Sequence, residues 1–309
     1  MPDVFETLGP MLVARGHAVT MTSDDPRAPT RALRMAATTA RCRREVDAVV
    51  VHLYSGRALA VEEAVARLAG RRPLVGHLSG GGFPAFAERH PRWVPRVLDR
   101  FDRLTAPSAH LARWAATVTD TPVQVIPNPL DLGDYPFRER SPSAPRLLWL
   151  RAYHPIYAPE VAVRVLDGLR RTHPDARLTM VGADKGERDA VAALVRELDL
   201  GDHVEVGGFA DAAAKRRLFA DHDVFLNSSR VDNRPVSVVE AAACGLCVVS
   251  TDVGGVPDLV RDGESALLVP PDDPTAMAGA VERILADPGL ASRLSAAGRQ
   301  VAEAGTPER

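Results

Sequence analysis

Short apolar runs rich in β-branched residues alternate with longer stretches of helical periodicity along almost the whole chain. The runs lack strict apolar–polar alternation and are separated by helical stretches, which is typical of a parallel sheet covered on both faces. Eleven runs fit this description: 17–22, 48–53, 74–78, 103–106, 123–126, 146–150, 177–181, 204–206, 224–227, 247–250 and 266–269. The pattern therefore predicts an α/β protein with parallel strands.

The number of predicted strands favours two domains, because eleven strands are too many for one open sheet in 309 residues. Proline, serine and charged residues interrupt the pattern over 131–145. We predict an N-terminal domain over 1–133, a linker over 134–145 and a C-terminal domain over 146–309. Because ligands of open parallel sheets bind beyond the carboxyl ends of the strands, we expect a site in a cleft between the two domains.

Charge and composition narrow the class of protein. A net charge of -2 and an aromatic content of 5% argue against a nucleic-acid-binding protein. No run approaches the roughly 20 apolar residues of a membrane-spanning helix, and the acidic start is not a signal peptide, so we expect a cytoplasmic protein. Only Lys185 and Lys215 are lysines among the 38 basic residues, which makes arginine the expected phosphate-binding cation.

The segment 227–255 is the richest in candidate functional residues. A predicted strand ends at Asn227, a polar loop follows, and Pro235 suits the first position of a helix. The amides of Val236 and Ser237 would then lie unpaired at the positive end of the helix dipole, where an anion such as phosphate binds favourably. Loop-to-helix junctions are common, so this signal alone does not define a phosphate site.

Glu240 lies one turn inside the predicted helix, in an otherwise apolar run, and a buried carboxylate needs hydrogen-bond donors. In one interpretation it is a structural residue that pairs with an arginine or a backbone amide. In the other it accepts two ribose hydroxyls of a nucleotide, as acidic residues do in other nucleotide-binding α/β folds. We favour the second interpretation, because a helix start of the phosphate-binding type comes directly before it.

Asp232, seven intervening residues and Glu240, followed by the segment 241–257, resemble the donor-site signature of the family 4 retaining glycosyltransferases, whose usual acidic pair is Glu-x7-Glu. Segments 125–131, 147–151 and 262–274 resemble further segments of that family in the same order. The resemblance implies the GT-B architecture, in which two Rossmann-like domains face each other across a cleft. It also implies a nucleotide-diphosphate sugar as donor, with no metal or other cofactor.

The resemblance further implies a role for each matching residue. Glu240 is expected to bind the ribose of the donor, and Asp232 to contact the transferred sugar or the reacting centre. Arg151 is expected to neutralise the diphosphate, mainly in the transition state, because charge grows on the leaving phosphate as the glycosidic bond breaks. The loop expected to contact the sugar hydroxyls and the diphosphate consists of Asn233, Arg234, Pro235, Val236 and Ser237.

The chain differs from the family pattern in the position of a second cation. Family members usually carry a lysine shortly after the arginine, and the corresponding stretch 153–158 has none. We expect Lys185, in the loop after the strand 177–181, to take its place, with Arg230 and Arg234 as alternatives.

A second difference concerns a histidine that the family commonly has near the donor sugar. Ser79 stands at that position, and His77, two residues earlier on the same strand face, is the expected substitute. A structural histidine is the alternative. Gly80 and Gly81 are expected to belong to a flexible turn on the acceptor side.

The ends of the chain also differ from the family pattern. The chain begins inside what resembles the family's first helix and stops before its terminal helix. We therefore expect it to lack the family's first strand, with its glycine-rich loop, and the terminal crossing helix.

Cys244 and Cys247 form a C-x-x-C pair that follows a helix, where the helix dipole disfavours a thiolate. No second cysteine pair completes a zinc site, so we expect structural cysteines.

Taken with the resemblance, these residues predict a retaining glycosyltransferase that moves a sugar from its donor to an unidentified glycan, lipid-linked or small-molecule acceptor. Two alternatives stay open: a nucleotide-sugar epimerase of the same architecture, and an inactive GT-B domain that binds a nucleotide or a partner. Nucleic acid is not an expected partner. The arginine-rich stretch 41–44 leaves open a peripheral contact with a membrane.

Overall fold

A computed structural model describes residues 4–22, 28–141 and 145–305, and the chain folds as two compact units, Met1–Pro129 and Leu130–Arg309. The stretch 134–145, which we predicted as a linker, falls within the second unit. Arg140, which is 1% exposed, donates hydrogen bonds to the carbonyls of Phe219 at 2.6 Å and His222 at 3.1 Å. The chain leading into the second sheet is therefore anchored on that unit.

The first unit is built on a four-stranded parallel sheet with the order β1-β2-β3-β4. Its strands are β1 Val49–Tyr54, β2 Leu74–Ser79, β3 Arg103–Ala106 and β4 Val123–Val125. Its helices are α1 Val4–Ala14, α2 Ala28–Cys42, α3 Ala58–Ala69, α4 Phe83–Arg89, α5 Trp93–Leu98 and α6 Ala109–Ala115. Leu53, Leu78 and Leu104, one from each of three neighbouring strands, are fully buried in its core.

The prediction of a strand at 17–22 is wrong. These residues are irregular in structure, and none of them is buried. An apolar run becomes a strand only where a neighbouring strand takes up its backbone hydrogen bonds, and the described sheet ends at β1. The other ten predicted strands are present, so the predicted α/β class with parallel strands is confirmed.

The second unit is built on a six-stranded parallel sheet with the order β10-β9-β8-β5-β6-β7. Its strands are β5 Arg146–Leu150, β6 Arg177–Val181, β7 Val204–Val206, β8 Val224–Asn227, β9 Cys247–Thr251 and β10 Leu267–Val269. Its helices are α7 Pro159–Leu169, α8 Arg188–Glu197, α9 Ala212–Asp221, α10 Val236–Ala243, α11 Val256–Leu259, α12 Pro274–Ala286 and α13 Pro288–Ala304, with 3-10 turns at Leu132–Asp134 and Pro155–Tyr157.

Alternate side chains of β5 pack on opposite faces of this sheet. Leu147 and Trp149 share one apolar cluster with residues of α7, α8 and α12, and Leu148 and Leu150 share another with residues of α9 and α10. Both faces are therefore covered by helices, which explains why the strand patterns are apolar without alternation. The order of the strands reverses direction between β5 and β8, so the loops after these two strands diverge at the carboxyl edge of the sheet.

Candidate functional site

Two of the predicted site residues of the second unit lie on the loops that follow β5 and β8. Arg151 comes directly after β5, and Asp232 lies in the loop between β8 and α10. In open parallel sheets, ligands bind beyond the carboxyl ends of the strands at the point where the strand order reverses. The fold thus brings two candidates that are 81 residues apart in the chain to the edge where such a sheet binds ligands.

Arg151 and Asp232 form a buried ion pair between an Arg151 guanidinium nitrogen and Asp232 Oδ2. The second terminal nitrogen of Arg151 lies 3.5 Å from Ser237 Oγ, and its guanidinium carbon lies 4.3 Å from the centre of the Tyr157 ring. Its Nε is buried and has no hydrogen-bond partner among the described residues. Arg151 is therefore held in place by a charge and by a ring face while it keeps a donor that the described protein does not use.

Asp232 is held by its own loop as well as by Arg151. Ser229 Oγ lies 3.0 Å from Asp232 Oδ2 and 2.9 Å from Asn227 Oδ1, and the amide of Asn233 donates to Asp232 Oδ1 at 3.0 Å. Thr251 Oγ1 donates to the carbonyl of Ser229 at 2.6 Å, which ties the end of β9 to the same loop. A carboxylate with several fixed donors keeps its orientation, and this one faces the arginine at the reversal point.

Two glycines let backbone segments approach the pair closely. A Cβ atom on Gly182, after β6, would lie 1.7 Å from the carbonyl oxygen of Arg151. Gly254, after β9, has a φ of +54° and would place a Cβ atom 2.0 Å from the carbonyl oxygen of Asp232. Larger residues at these positions would force the loops apart, so both glycines shape the carboxyl edge of the sheet.

The helix α10 begins one residue later than predicted, because Pro235 is its N-cap and Val236 its first residue. The amides of Val238 and Val239 donate to the Pro235 carbonyl at 3.1 and 3.2 Å. The amides of Val236 and Ser237 have no carbonyl acceptor in the part of the chain that the structure describes. These are the two amides from which the sequence predicts an anion site, although Ser237 is fully buried in this structure.

Glu240 lies in the second turn of α10 and is 2% exposed. Its Oε1 forms an ion pair with Lys215 Nζ of α9 and accepts a hydrogen bond from Tyr135 Oη at 2.7 Å. Its Oε2 is buried without a hydrogen-bond partner among the described residues. The donors that a buried Glu240 requires are thus a lysine and a tyrosine, neither of which the sequence interpretation named for this role.

The remaining cations of the predicted set form no hydrogen bond or ion pair with the Arg151 or Asp232 side chains among the described residues. Lys185 is exposed in the loop after β6, where its amide donates to the carbonyl of Tyr153 at 3.0 Å. Arg234 lies beside Gly305 at the end of α13, and burial lowers the pKa of its guanidinium. Arg230 donates to Asp272 Oδ1 at 2.8 Å and also pairs with Glu160, which occupies its guanidinium.

In the first unit, His77 and Ser79 lie on β2 within a row of polar side chains. His77 Nδ1 lies 2.8 Å from Thr105 Oγ1 of β3. His52 of β1, which pairs in register with His77, contacts Ser79 Oγ through its Nε2, and the two imidazole rings are 5.2 Å apart. Gly80, directly after β2, has a φ of +78° and is exposed, and Gly81 follows it in the same turn.

Sequence reasoning missed several residues that contact the predicted ones, among them Lys215, Tyr135, Tyr157 and His52. The only available signal for Lys215 was its rarity, because it is one of two lysines in the chain. Tyr135 lies 105 residues before Glu240, and no local pattern connects them. His52 could have been found by pairing β1 with β2 and reading the residue opposite His77.

Cys244 is the C-cap of α10, and Cys247 is the first residue of β9. Both thiols are buried, and this burial raises the pKa of Cys244 to about 11 and that of Cys247 to about 12. These pKa values disfavour the thiolate that redox or metal chemistry requires.

Across residues 4–22, 28–141 and 145–305, no group of three or more histidine, cysteine, aspartate or glutamate residues is arranged to hold a metal ion. In the same residues, no helix is long and apolar enough to span a bilayer.

A parallel sheet whose strand order reverses between β5 and β8 and whose two faces are covered by helices defines a Rossmann-like unit. Residues 139–301, just over half of the chain, match the family model described as Glycosyl transferases group 1, and the chain belongs to this family. The resemblance read from the segment 227–257 is thereby confirmed.

Comparisons with individual proteins agree with the family. The chain is 35% identical over 159 residues to a D-inositol 3-phosphate glycosyltransferase of Acidothermus cellulolyticus. The aligned region covers 48% of this chain and 35% of the relative. It is 27% identical over 239 residues to a glycogen synthase of Mycobacterium tuberculosis, and this aligned region covers 69% of this chain and 56% of the relative. The chain thus spans about a third to just over half of the length of these curated relatives.

Among solved structures, the chain is similar to the Anabaena protein Alr3699/HepE in complex with UDP and glucose. The TM-score is 0.75 at 22% sequence identity, with 98% of this chain and 85% of that chain covered. Identity at this level is evidence of the fold alone. Together with the two parallel sheets, it confirms the GT-B fold that the resemblance implied.

Proposed function

We propose that this protein is a retaining glycosyltransferase that takes a sugar from a nucleotide-diphosphate donor without the help of a metal ion. The observation that carries the proposal is the meeting of Arg151 and Asp232 at the strand-order reversal, together with Glu240, buried in the helix that starts there. Family membership and the names of the relatives, which are sugar transferases and synthases, support the same class of reaction.

In this proposal Arg151 binds the diphosphate and acts mainly on the transition state. Charge develops on the leaving phosphate as the bond to the sugar breaks, and a fixed guanidinium stabilises that charge without reorganisation. The unused Nε and the planar fork of Arg151 suit phosphate oxygens. The amides of Val236 and Ser237 at the start of α10 add partial positive charge on the same side.

Asp232 has the second role in the proposed reaction. Its carboxylate orients Arg151 in the free protein, and a diphosphate that binds Arg151 would release it toward the transferred sugar. Asn233, Arg234 and Pro235 line the same loop, and Lys185 on the loop after β6 adds an exposed cation that attracts the anionic donor.

The first unit supplies the acceptor side in this proposal. His77 and Ser79 end a strand at the carboxyl edge of its sheet, and the turn of Gly80 and Gly81 follows. Hydroxyl and imidazole groups suit an acceptor that presents hydroxyls, whether that acceptor is a glycan, a lipid-linked sugar or a small molecule.

The proposal is tested by titrating the protein with UDP, GDP and ADP in a calorimeter. At least one should bind, and Glu240→Ala should weaken binding by roughly ten- to a hundred-fold, because hydrogen bonds to a charged acceptor are lost. Glu205→Ala, which removes an exposed carboxylate on β7, is the matched control and should bind like the wild type.

Equal affinity in the Glu240→Ala variant would remove Glu240 from the donor site. Binding without any transfer of the sugar from nucleotide sugars, either to water or to the glycan, lipid-linked and small-molecule acceptors supplied, would instead support the alternative of an inactive nucleotide-binding domain.

A further inference from the structure

The two oxygens of the Glu240 carboxylate have different surroundings. Oε1 receives both available donors, Lys215 Nζ and Tyr135 Oη, whereas Oε2 is buried without a hydrogen-bond partner among the described residues. An acceptor left in that state costs the folded protein free energy. A hydroxyl donated by a ligand would recover it, so Oε2 is the oxygen with free capacity.

The identity of the cation matters for this asymmetry. Basic residues in this chain are arginine in 36 of 38 cases, yet a lysine is buried here at 7% exposure. Lysine is a point charge that satisfies one oxygen, whereas the planar fork of arginine binds both oxygens of a carboxylate at once. An arginine at position 215 would therefore tend to occupy Oε2 as well.

Tyr135 reinforces the same arrangement from another part of the chain. Burial and the neighbouring Glu240 carboxylate raise the pKa of the Tyr135 phenol above its ordinary value, so it stays protonated and donates its hydrogen. Lys215 reaches Oε1 from α9, and Tyr135 reaches it from the turn after Leu132–Asp134. Two donors from different elements therefore fix the rotation of one carboxylate.

We propose that Lys215 and Tyr135 are positioning residues that hold Glu240 by Oε1 and reserve Oε2 for a single ribose hydroxyl of the donor nucleotide. This inference rests on the proposed function, because it takes Glu240 to face the ribose. It differs from the two ribose hydroxyls that we expected from the sequence: the carboxylate binds one of the 2′- and 3′-hydroxyls and does not bind the other.

The test uses the whole chain and calorimetry. UDP, GDP and ADP are titrated first, and the tightest binder is compared with its 2′-deoxy and 3′-deoxy forms. In the wild type, one deoxy form should bind about ten-fold or more weakly, because a charged acceptor then loses its donor, and the other should stay within about three-fold.

Lys215→Arg should bind the ribonucleotide about ten-fold more weakly than the wild type, since the arginine then engages both oxygens of Glu240. For the same reason, the loss of affinity caused by removing either ribose hydroxyl should largely disappear in this variant. Tyr135→Phe should bring the penalties of the two deoxy forms closer together, because Oε1 regains capacity for the second hydroxyl. Arg216→Met is the matched control: Arg216 follows Lys215 on α9 and pairs with Asp134, beside Tyr135, but is half-exposed.

A purely structural ion pair would move the affinities for all three ligands together and leave their ratios unchanged in both variants. That result would overturn the inference while the proposed function stands. If the wild type binds a nucleoside diphosphate without penalty for either deoxy form, Glu240 does not bind the ribose, and its part in the proposed function falls as well. If Lys215→Arg fails to fold, Tyr135→Phe decides alone. Ratios between its affinities for the ribonucleotide and the two deoxy forms that equal those of the wild type would overturn the inference.

Discussion

Two glutamates, one in each unit, occupy equivalent places in their βα elements. Glu62 is the fifth residue of α3, which follows β1, and Glu240 is the fifth residue of α10, which follows β8. Both lie in apolar runs, and they are 4% and 2% exposed. Read as local patterns, the two positions look alike.

Their partners differ. Glu62 Oε2 accepts a hydrogen bond from the amide of Tyr54 at 2.9 Å, and the described residues give it no cation within ion-pair distance. Burial therefore raises the pKa of Glu62 to about 8, so the carboxyl is largely protonated at neutral pH. Glu240 has Lys215 as a compensating charge.

The predicted site residues of the two units differ in the same way, in whether an opposite charge lies beside them. Around the predicted site residues of the first unit, His77 and Ser79 contact Thr105 and His52. In the second unit, Arg151 and Glu240 are each paired with an opposite charge. Burial alone thus neutralises the Glu62 carboxyl group at neutral pH, whereas Arg151 and Glu240 of the second unit each lie beside an opposite charge from a distant part of the chain.

The largest effect is expected for Arg151→Ala. If the arginine stabilises the departing diphosphate, release of nucleoside diphosphate from the nucleotide sugar should slow by about 100- to 1,000-fold, with a smaller loss in donor affinity. Arg151→Lys should recover only part of the rate, because the charge returns without the planar fork. Steady-state kinetics and calorimetry on the same preparations separate turnover from binding.

Arg146→Ala is the control for this experiment, since Arg146 begins the strand that Arg151 follows and pairs with Asp223. Turnover of Arg151→Ala within about three-fold of the wild type, which is below one kcal/mol of barrier, would reduce the arginine to a structural partner of Asp232.

The next largest effect is expected for the pH dependence of the free energy of unfolding, through Glu62 in the first unit. Because the folded-state pKa of Glu62 lies above its ordinary value of 4.5, its contribution to stability is fully present at low pH and is lost as the pH rises through about 8. Glu62→Gln keeps the shape and stays neutral, so its free energy of unfolding should fall less between pH 5 and pH 8. The difference in slope should reach up to about 1.4 kcal/mol per pH unit.

Urea unfolding at several pH values, followed by tryptophan fluorescence, measures this difference. Glu282→Gln changes a carboxylate that bonds Thr172 at an exposed position and should follow the wild type. Parallel curves for wild type and Glu62→Gln would mean that Glu62 is charged in the folded state although no cation among the described residues lies beside it.

The smallest effect is expected for Lys185→Ala. This lysine is exposed, so its attraction for the donor is screened by solvent and salt. Donor affinity should fall by less than about five-fold at low salt, and the difference should vanish near 0.5 M salt. A loss comparable to that of Glu240→Ala would show instead that Lys185 closes onto the bound diphosphate, which would give the second unit another specific charge contact.

The amino-acid sequence by itself determined most of the strands and singled out the segment of the candidate site. The apolar runs predicted ten of the described strands within a few residues, because periodicity records which side chains a covered sheet buries. The prediction of a strand at 17–22 failed because periodicity does not tell whether a neighbouring strand is present to take up the backbone hydrogen bonds. The loop and helix of 227–243 could be singled out because their signals are local: a strand end, a helix-starting proline and an acidic residue in an apolar turn.

Only the tertiary structure decided which of these groups meet. Arg151 and Asp232 are 81 residues apart, Lys215 precedes Glu240 by 25 residues, and Tyr135 precedes it by 105. Glu62 and Glu240 have similar local sequences, and only the presence or absence of a cation from another element distinguishes their electrostatics. The charge of a buried group depends on what the fold packs against it, and that partner lies too far along the chain for a local pattern to specify.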